Sequence, residues 1–399
     1  IAYNLAMKNN VYLQGNNSTL KLINNAIPIN GGIYLAPLLK FLNVSNSGIL
    51  GTLNIDGNKS HQTYLDDYGS SGISIQESSY NIFIDSLNIK NCSQDGLYIG
   101  VASNSSINFP ANIYVKNLIV DTSIRTGLGI TSGIQLSFDN VSTTNCGGGL
   151  IGHGVSIEPN ISDAILHDIK FNNIFTSNNT HNGLQVFGKS FDQKNITIKT
   201  IQSTNNNVGI LLEFSSFITI LSGSVNNNVL GVYSPGNLRN IRICLDIYKN
   251  NTFGINFDSS SATQTTQVID LSESNVFNNS TISSGTYPGV QLNGNNLYNI
   301  SYVTMNNCNF YDNQNVPTQG FGFTSNLYAN NIQFSGNLYG NVIANYNSGN
   351  YDIKNFVEFN KVQLYRTINF PTINANSTYE ITLIVTGAKL GASVISTPY

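Results

Sequence analysis

Two of the chain's 21 acidic residues close the same five-residue phrase: Glu158 ends Gly-Val-Ser-Ile-Glu, and Glu213 ends Gly-Ile-Leu-Leu-Glu. Two carboxyl groups on one surface are what acid–base hydrolysis of a glycosidic bond requires, one protonating the leaving oxygen and the other activating water. Just ahead of the same phrase stand side chains of the opposite kind. Arg125 and His181 lie two residues before Gly127 and Gly183, and His153 lies one before Gly154. Such an edge would bind a uronate or sialate, or take the proton alpha to a carboxylate in a β-elimination. Tyr98 and Phe187, also within phrases, offer rings on which a sugar can stack. The plainer alternatives are solvated surface acids, turn residues that satisfy backbone carbonyls, and rings covered by a neighbouring loop.

The phrase shows what must position these residues. Gly, apolar, variable, apolar, variable recurs from Gly72, Gly96, Gly127, Gly154, Gly183, Gly209, Gly231, Gly254, Gly289 and Gly320, at spacings of 22 to 35 residues. Apolar alternation means a strand with one buried face. Further short apolar runs lie between the copies, such as Asn81 to Lys90 and Ile165 to Ile174, and Asn and Gly clusters separate them. A superperiod that holds two or three strands and no helix is the signature of one coil of a parallel β-helix. The spacing predicts an all-β, right-handed solenoid of ten to twelve coils, the hand following from the preference of parallel crossovers. Counting the phrase glycine as zero, positions one and three point inward and positions two and four outward. Asn91, Asn145, Asn207, Asn228 and Asn251 precede phrases, where a side chain that tolerates left-handed φ and stacks on its copy in the next coil is useful.

Composition excludes other classes. Only 18 Lys+Arg stand against 21 Asp+Glu in 399 residues, so a basic grip on nucleic acid is not expected. With 40% hydrophobic residues the chain can build a core, and its 64 Asn suit turns. No apolar run approaches the roughly 18 residues of a membrane-spanning helix, and membrane insertion is not expected. Cys92, Cys146, Cys244 and Cys308 lack metal-ligand spacing and are expected to be buried free thiols. No cofactor or metal is expected.

The run from Ile29 to Ser60 leading into Gly72 to Ile99, together with Gly152 to Gly188, resembles the pectate-lyase-like right-handed β-helix family, and within it proteins of bacteriophage tails. The resemblance implies a β-helix over residues 1–361, with the usual N-terminal cap missing ahead of Ile1, and the cut-off beginning of a small C-terminal β domain over 362–399. It also implies a parallel homotrimer working with other tail proteins, on a virion or an extracellular surface. The first functional expectation is a tailspike-like depolymerase that recognises and cleaves a host surface polysaccharide, with Glu158 and Glu213 catalytic and Arg125, His153, His181, Tyr98 and Phe187 binding substrate. The alternatives are a non-catalytic glycan-binding or structural β-helix and a secreted polysaccharide lyase or epimerase.

Overall fold

The computed structural model describes residues 4–26, 37–62, 69–101, 108–149, 151–159, 161, 164–188, 193–250, 252–258, 266–279, 289–294, 300–312, 323–325, 329–340, 344–346, 351–359 and 364–365, and beyond residue 309 their backbone. Among these the one helical element is a 3-10 turn, Lys59–His61. Every strand pairing is parallel, and the chain winds as a parallel β-helix. Each coil contributes one short strand to a 14-stranded sheet and then one long strand, or two shorter ones, to the remaining walls. The strands Gly133–Thr144 and Leu166–Ser177, for example, pair from end to end.

The phrases form the short-stranded sheet. Ile73, Leu97, Leu128, Val155, Leu184 and Ile210 follow one another in register, as do Ile75, Ile99, Ile130, Ile157, Val186 and Leu212, and all of them are buried. Each such side chain taken from water contributes about 1.5–3 kcal/mol. The sheet runs two strands beyond the phrases at each end, to Leu5–Ala6 and to Leu364–Tyr365. One phrase is displaced: Val290 pairs with Phe323, so the coil expected to start at Gly320 has its first position two residues later, and Thr324 occupies position two rather than four. Residues 366–399, where a C-terminal domain is expected, lie outside the described residues.

The phrase glycine is a packing requirement. A Cβ on Gly154 would lie 2.6 Å from the carbonyl oxygen of Gly183, and one on Gly209 2.8 Å from that of Gly231, with interior side chains as close. The preceding turn divides its work between adjacent residues. Asn91, Asn145, Asn178, Asn205, Asn227 and Asn278 take the left-handed conformation. The residue after each points inward, as does Asn250 after the left-handed Lys249. Asn179, Asn206, Asn228, Asn250 and Asn279 form a buried ladder, each Nδ2 donating to the next Oδ1 at 2.9, 3.2, 3.2 and 2.9 Å. Of the asparagines expected to do both jobs, Asn91 and Asn145 supply the turn and Asn228 the ladder; Asn207 does neither and Asn251 lies outside the described residues. Cys92 and Cys146 take the ladder place in earlier coils, and burial pushes both thiols up to about 12.

Asn206 accepts from the backbone and side-chain amides of Asn179 and donates to Asn228 and Ser203. Replacing it by alanine would strand buried donors on Asn179, and Asn206→Ala is expected to cost about 2–4 kcal/mol in urea unfolding. A loss well under 1 kcal/mol would show that the ladder is incidental to stability.

Candidate functional site

The strand Asn182–Phe187 lies between His153–Ile157 and Val208–Glu213. Leu184 and Val186 point into the core, so Gln185 and Phe187 face outward. Ile157 pairs with Val186 and Val186 with Leu212, while Phe187 pairs with Glu213. Glu158, directly after its strand, therefore lines up with Phe187 and Glu213. The two glutamates are two strand spacings apart, roughly 9–10 Å between Cα atoms. Both are half-buried. Burial, and after it the charge of Glu158, raises the Glu213 carboxyl above the usual carboxylate range. Phe187 meets Phe214 edge-on, with ring centroids 5.8 Å apart.

The imidazole edge joins this line through two amides. Asn182 Nδ2 donates to Gln185 Oε1 at 2.8 Å, and Gln185 Nε2 donates to Glu158 Oε2 at 3.1 Å. The backbone N–H of Asn182 is directed at His153 Nδ1 at 3.4 Å, which leaves the proton of the neutral ring on Nε2. His153 is buried, and burial, followed by the charges of His181 and Arg125, lowers it to about 3. It is thus a neutral donor at ordinary pH, and its Nδ1 is turned to the backbone. His181 stands edge-on to it at 5.9 Å, with Thr180 Oγ1 3.2 Å from its Nδ1.

Arg125 has a partner that sequence reasoning missed. Its Nε lies 3.5 Å from Oδ1 of the buried Asp95, which also accepts the backbone N–H of Thr126 at 3.2 Å. Burial raises the Asp95 carboxyl, and Arg125 acts against that rise. Much of the positive charge expected for an acidic sugar is therefore spent on a carboxylate of the same face. Asp95 occupies the residue before its phrase glycine, the place that His153 holds two coils on, and that shared offset is the signal that could have found it. Tyr98 sends its hydroxyl to the carbonyl of Val101 at 2.9 Å and meets Thr131 Oγ1 at 2.8 Å. Its ring lies beside Gly129, where an added Cβ would come within 3.8 Å of it. Past the strand ends, Val101, Ile161 and Ala164 form a small apolar cluster with Phe109. Among the described residues no group of His, Cys, Asp and Glu is arranged to hold a metal ion.

The structure thus gathers Glu158, Glu213, Phe187, His153 and His181 on three successive coils, with Tyr98 and Arg125 on the coils just before them; Asn182 and Gln185 connect His153 to Glu158, Asp95 pairs with Arg125, and Thr131 meets Tyr98. The molecule is a parallel β-helix whose short-stranded face carries two carboxyl groups in different environments. No protein-family model and no curated protein matches the chain. Among solved structures it is similar to the A-modules of two mannuronan C-5 epimerases of Azotobacter vinelandii. For AlgE6 the TM-score is 0.54 at 14% identity, over 91% of this chain and 86% of that one. For AlgE4 it is 0.58 at 12% identity, over 89% and 90%. The likeness is one of fold.

Proposed function

We propose that the outer face of the short-stranded sheet binds a polysaccharide and hydrolyses it, with Glu213 as general acid and Glu158 as general base. The observation that carries this reading is the unequal environment of two carboxyls on one line. Glu213 is held toward its protonated form by burial and by the neighbouring charge, while Glu158 accepts an amide N–H, which favours a carboxylate. Their Cα separation of roughly 9–10 Å lets side-chain tilt set the carboxyls at the roughly 6.5–9.5 Å used by inverting glycosidases. Phe187 would stack on a sugar between them, and Tyr98, Arg125, His153 and His181 would bind the chain to one side. The resemblance to tail proteins adds a virion setting, a homotrimer and a host surface polysaccharide to the proposal.

The test is release of reducing ends from a panel of bacterial surface polysaccharides that includes mannuronan. Wild type is expected to release them, and Glu158→Gln to lower turnover by about a hundredfold or more while keeping glycan affinity. Full activity in the Glu158→Gln/Glu213→Gln double variant would remove both residues from the mechanism, and binding without release would make the protein a glycan-binding module. A second reading, lyase or epimerase action on a uronate polymer, draws support from the fold shared with proteins named as mannuronan epimerases. An unsaturated uronate product, or altered C-5 configuration without chain cleavage, would favour it.

A further inference from the structure

Two carboxyls on one line do not by themselves decide which is acid and which is base. The side chain that breaks the symmetry is Gln185, at the outward second position of the strand between them. It is buried, as is Asn182. Its amide has one orientation open to it. Asn182 Nδ2 donates at 2.8 Å and claims Oε1 as acceptor, so Nε2 is the end turned to Glu158 at 3.1 Å. The reverse orientation would set an amide oxygen against a carboxylate and an N–H against an N–H, losing both bonds at once. Asn182 is buried, and its backbone is held in register with Val208 on the next coil.

We infer that Gln185, oriented by Asn182, is a positioning residue that holds Glu158 as the hydrogen-bond-accepting carboxylate and so assigns it the base's part, leaving the acid's part to Glu213. This rests on the acid–base reading of the site given above. Gln185 touches neither the reacting atoms nor the proton in transit; it acts through Glu158. The other titratable groups on this stretch of the face are Glu213 two coils on, Tyr233 and Asp258 on the coils beyond it, His153 before the strand that leads to Glu158, His181 before the next strand, and Tyr98 and the Asp95–Arg125 pair on the coils behind. His153 is neutral above about 3 and Asp95 is paired with Arg125, while Gln185 is an uncharged partner of Glu158 that a substitution removes without changing the charge of the face.

The experiment uses the whole chain with Gln185→Leu, which keeps bulk and removes both hydrogen bonds. With six glutamates in the sequence, carbon-13 labelling of Glu side-chain carboxyls allows Glu158 and Glu213 to be titrated by NMR and assigned from the Gln variants of each. In wild type Glu158 is expected to titrate below Glu213, and in Gln185→Leu the Glu158 midpoint is expected to move up. On whichever polysaccharide of the panel wild type cleaves, kcat is expected to fall about tenfold or more with KM within about twofold, and the acidic limb of the pH–rate profile to move up with Glu158. Asn182→Val serves if Gln185→Leu does not fold, because valine already fills the paired place on the next coil, and the same shifts are expected. An unchanged Glu158 titration in a folded variant overturns the inference. A shifted titration with no polysaccharide cleaved by wild type leaves the positioning role standing and sinks hydrolysis. Cleavage by Gln185→Leu with the wild-type pH profile does the reverse.

Discussion

Glu213→Gln is expected to lower turnover on the natural polysaccharide by about a hundredfold or more while leaving the fold and glycan affinity intact. The loss should depend on the leaving group. A sugar alcohol needs a proton as the bond breaks, whereas a dinitrophenolate leaves without one, so an aryl glycoside accepted by the site should be far less affected. Glu158→Gln should depress both substrates alike, since activation of water is needed whatever leaves. The pH dependence has a definite sign. The Glu213 carboxyl is raised by burial and by the charge of Glu158, so the active protonated form persists above the usual carboxylate range and is lost as pH climbs through that raised value. The descending limb of the wild-type profile belongs to this ionisation and should be missing from whatever activity Glu213→Gln retains. Equal losses on the natural and aryl substrates would mean that Glu213 is not the acid.

The sequence displayed these two carboxyls because the phrase fixes the register: once Gly154 and Gly209 are position zero, Glu158 and Glu213 fall on one outward line. It did not display what tunes them. Gln185 and Asn182 are neutral amides in a chain with 64 asparagines, and nothing about their type separates a structural amide from one against a catalytic carboxylate. Asp95 was hidden because the place before the phrase glycine changes identity from coil to coil, being Asp95, Thr126, His153, Asn182 and Val208 in turn. At the fold level, pattern reading failed where the glycine gives way to another residue. Leu38 stands in its place ahead of Leu39–Leu42, so that strand carries no phrase. The slip from Gly320 to a start two residues later has a different cause. Gly-Phe-Gly-Phe repeats with period two, and a two-residue shift keeps every side chain on its own face, so only pairing to the neighbouring coil decides between the registers.

Gly231→Ala should be among the most damaging single-methyl additions in the molecule, and Gly129→Ala among the mildest. Both glycines lie in the short-stranded sheet, in Leu230–Ser234 and Thr126–Ile130. Neither has a left-handed φ, so conformational strain does not distinguish them. Space does. A Cβ on Gly231 would fall 2.2 Å from the carbonyl oxygen of Gly254 and 2.9 Å from Nδ2 of the ladder residue Asn250. The first is backbone pinned by the hydrogen bond from Val232, and the second sits in the buried ladder, so neither can yield without opening the contact between two coils. Overpacking of this kind costs about 1–3 kcal/mol even where side chains can move, and a backbone contact in a stacked solenoid belongs at or above the upper end of that range. On Gly129 the added methyl points outward and meets Asp95 and Tyr98 at 3.5 to 3.8 Å, ordinary contact distances. Removing glycine's backbone freedom there is worth roughly 0.5–1 kcal/mol, so Gly129→Ala is expected to be neutral or slightly stabilising. Urea unfolding of both variants measures the difference. If Gly129→Ala loses as much as Gly231→Ala, the phrase glycine is not set apart by the carbonyl of the next coil, and the account of why the phrase begins with glycine fails.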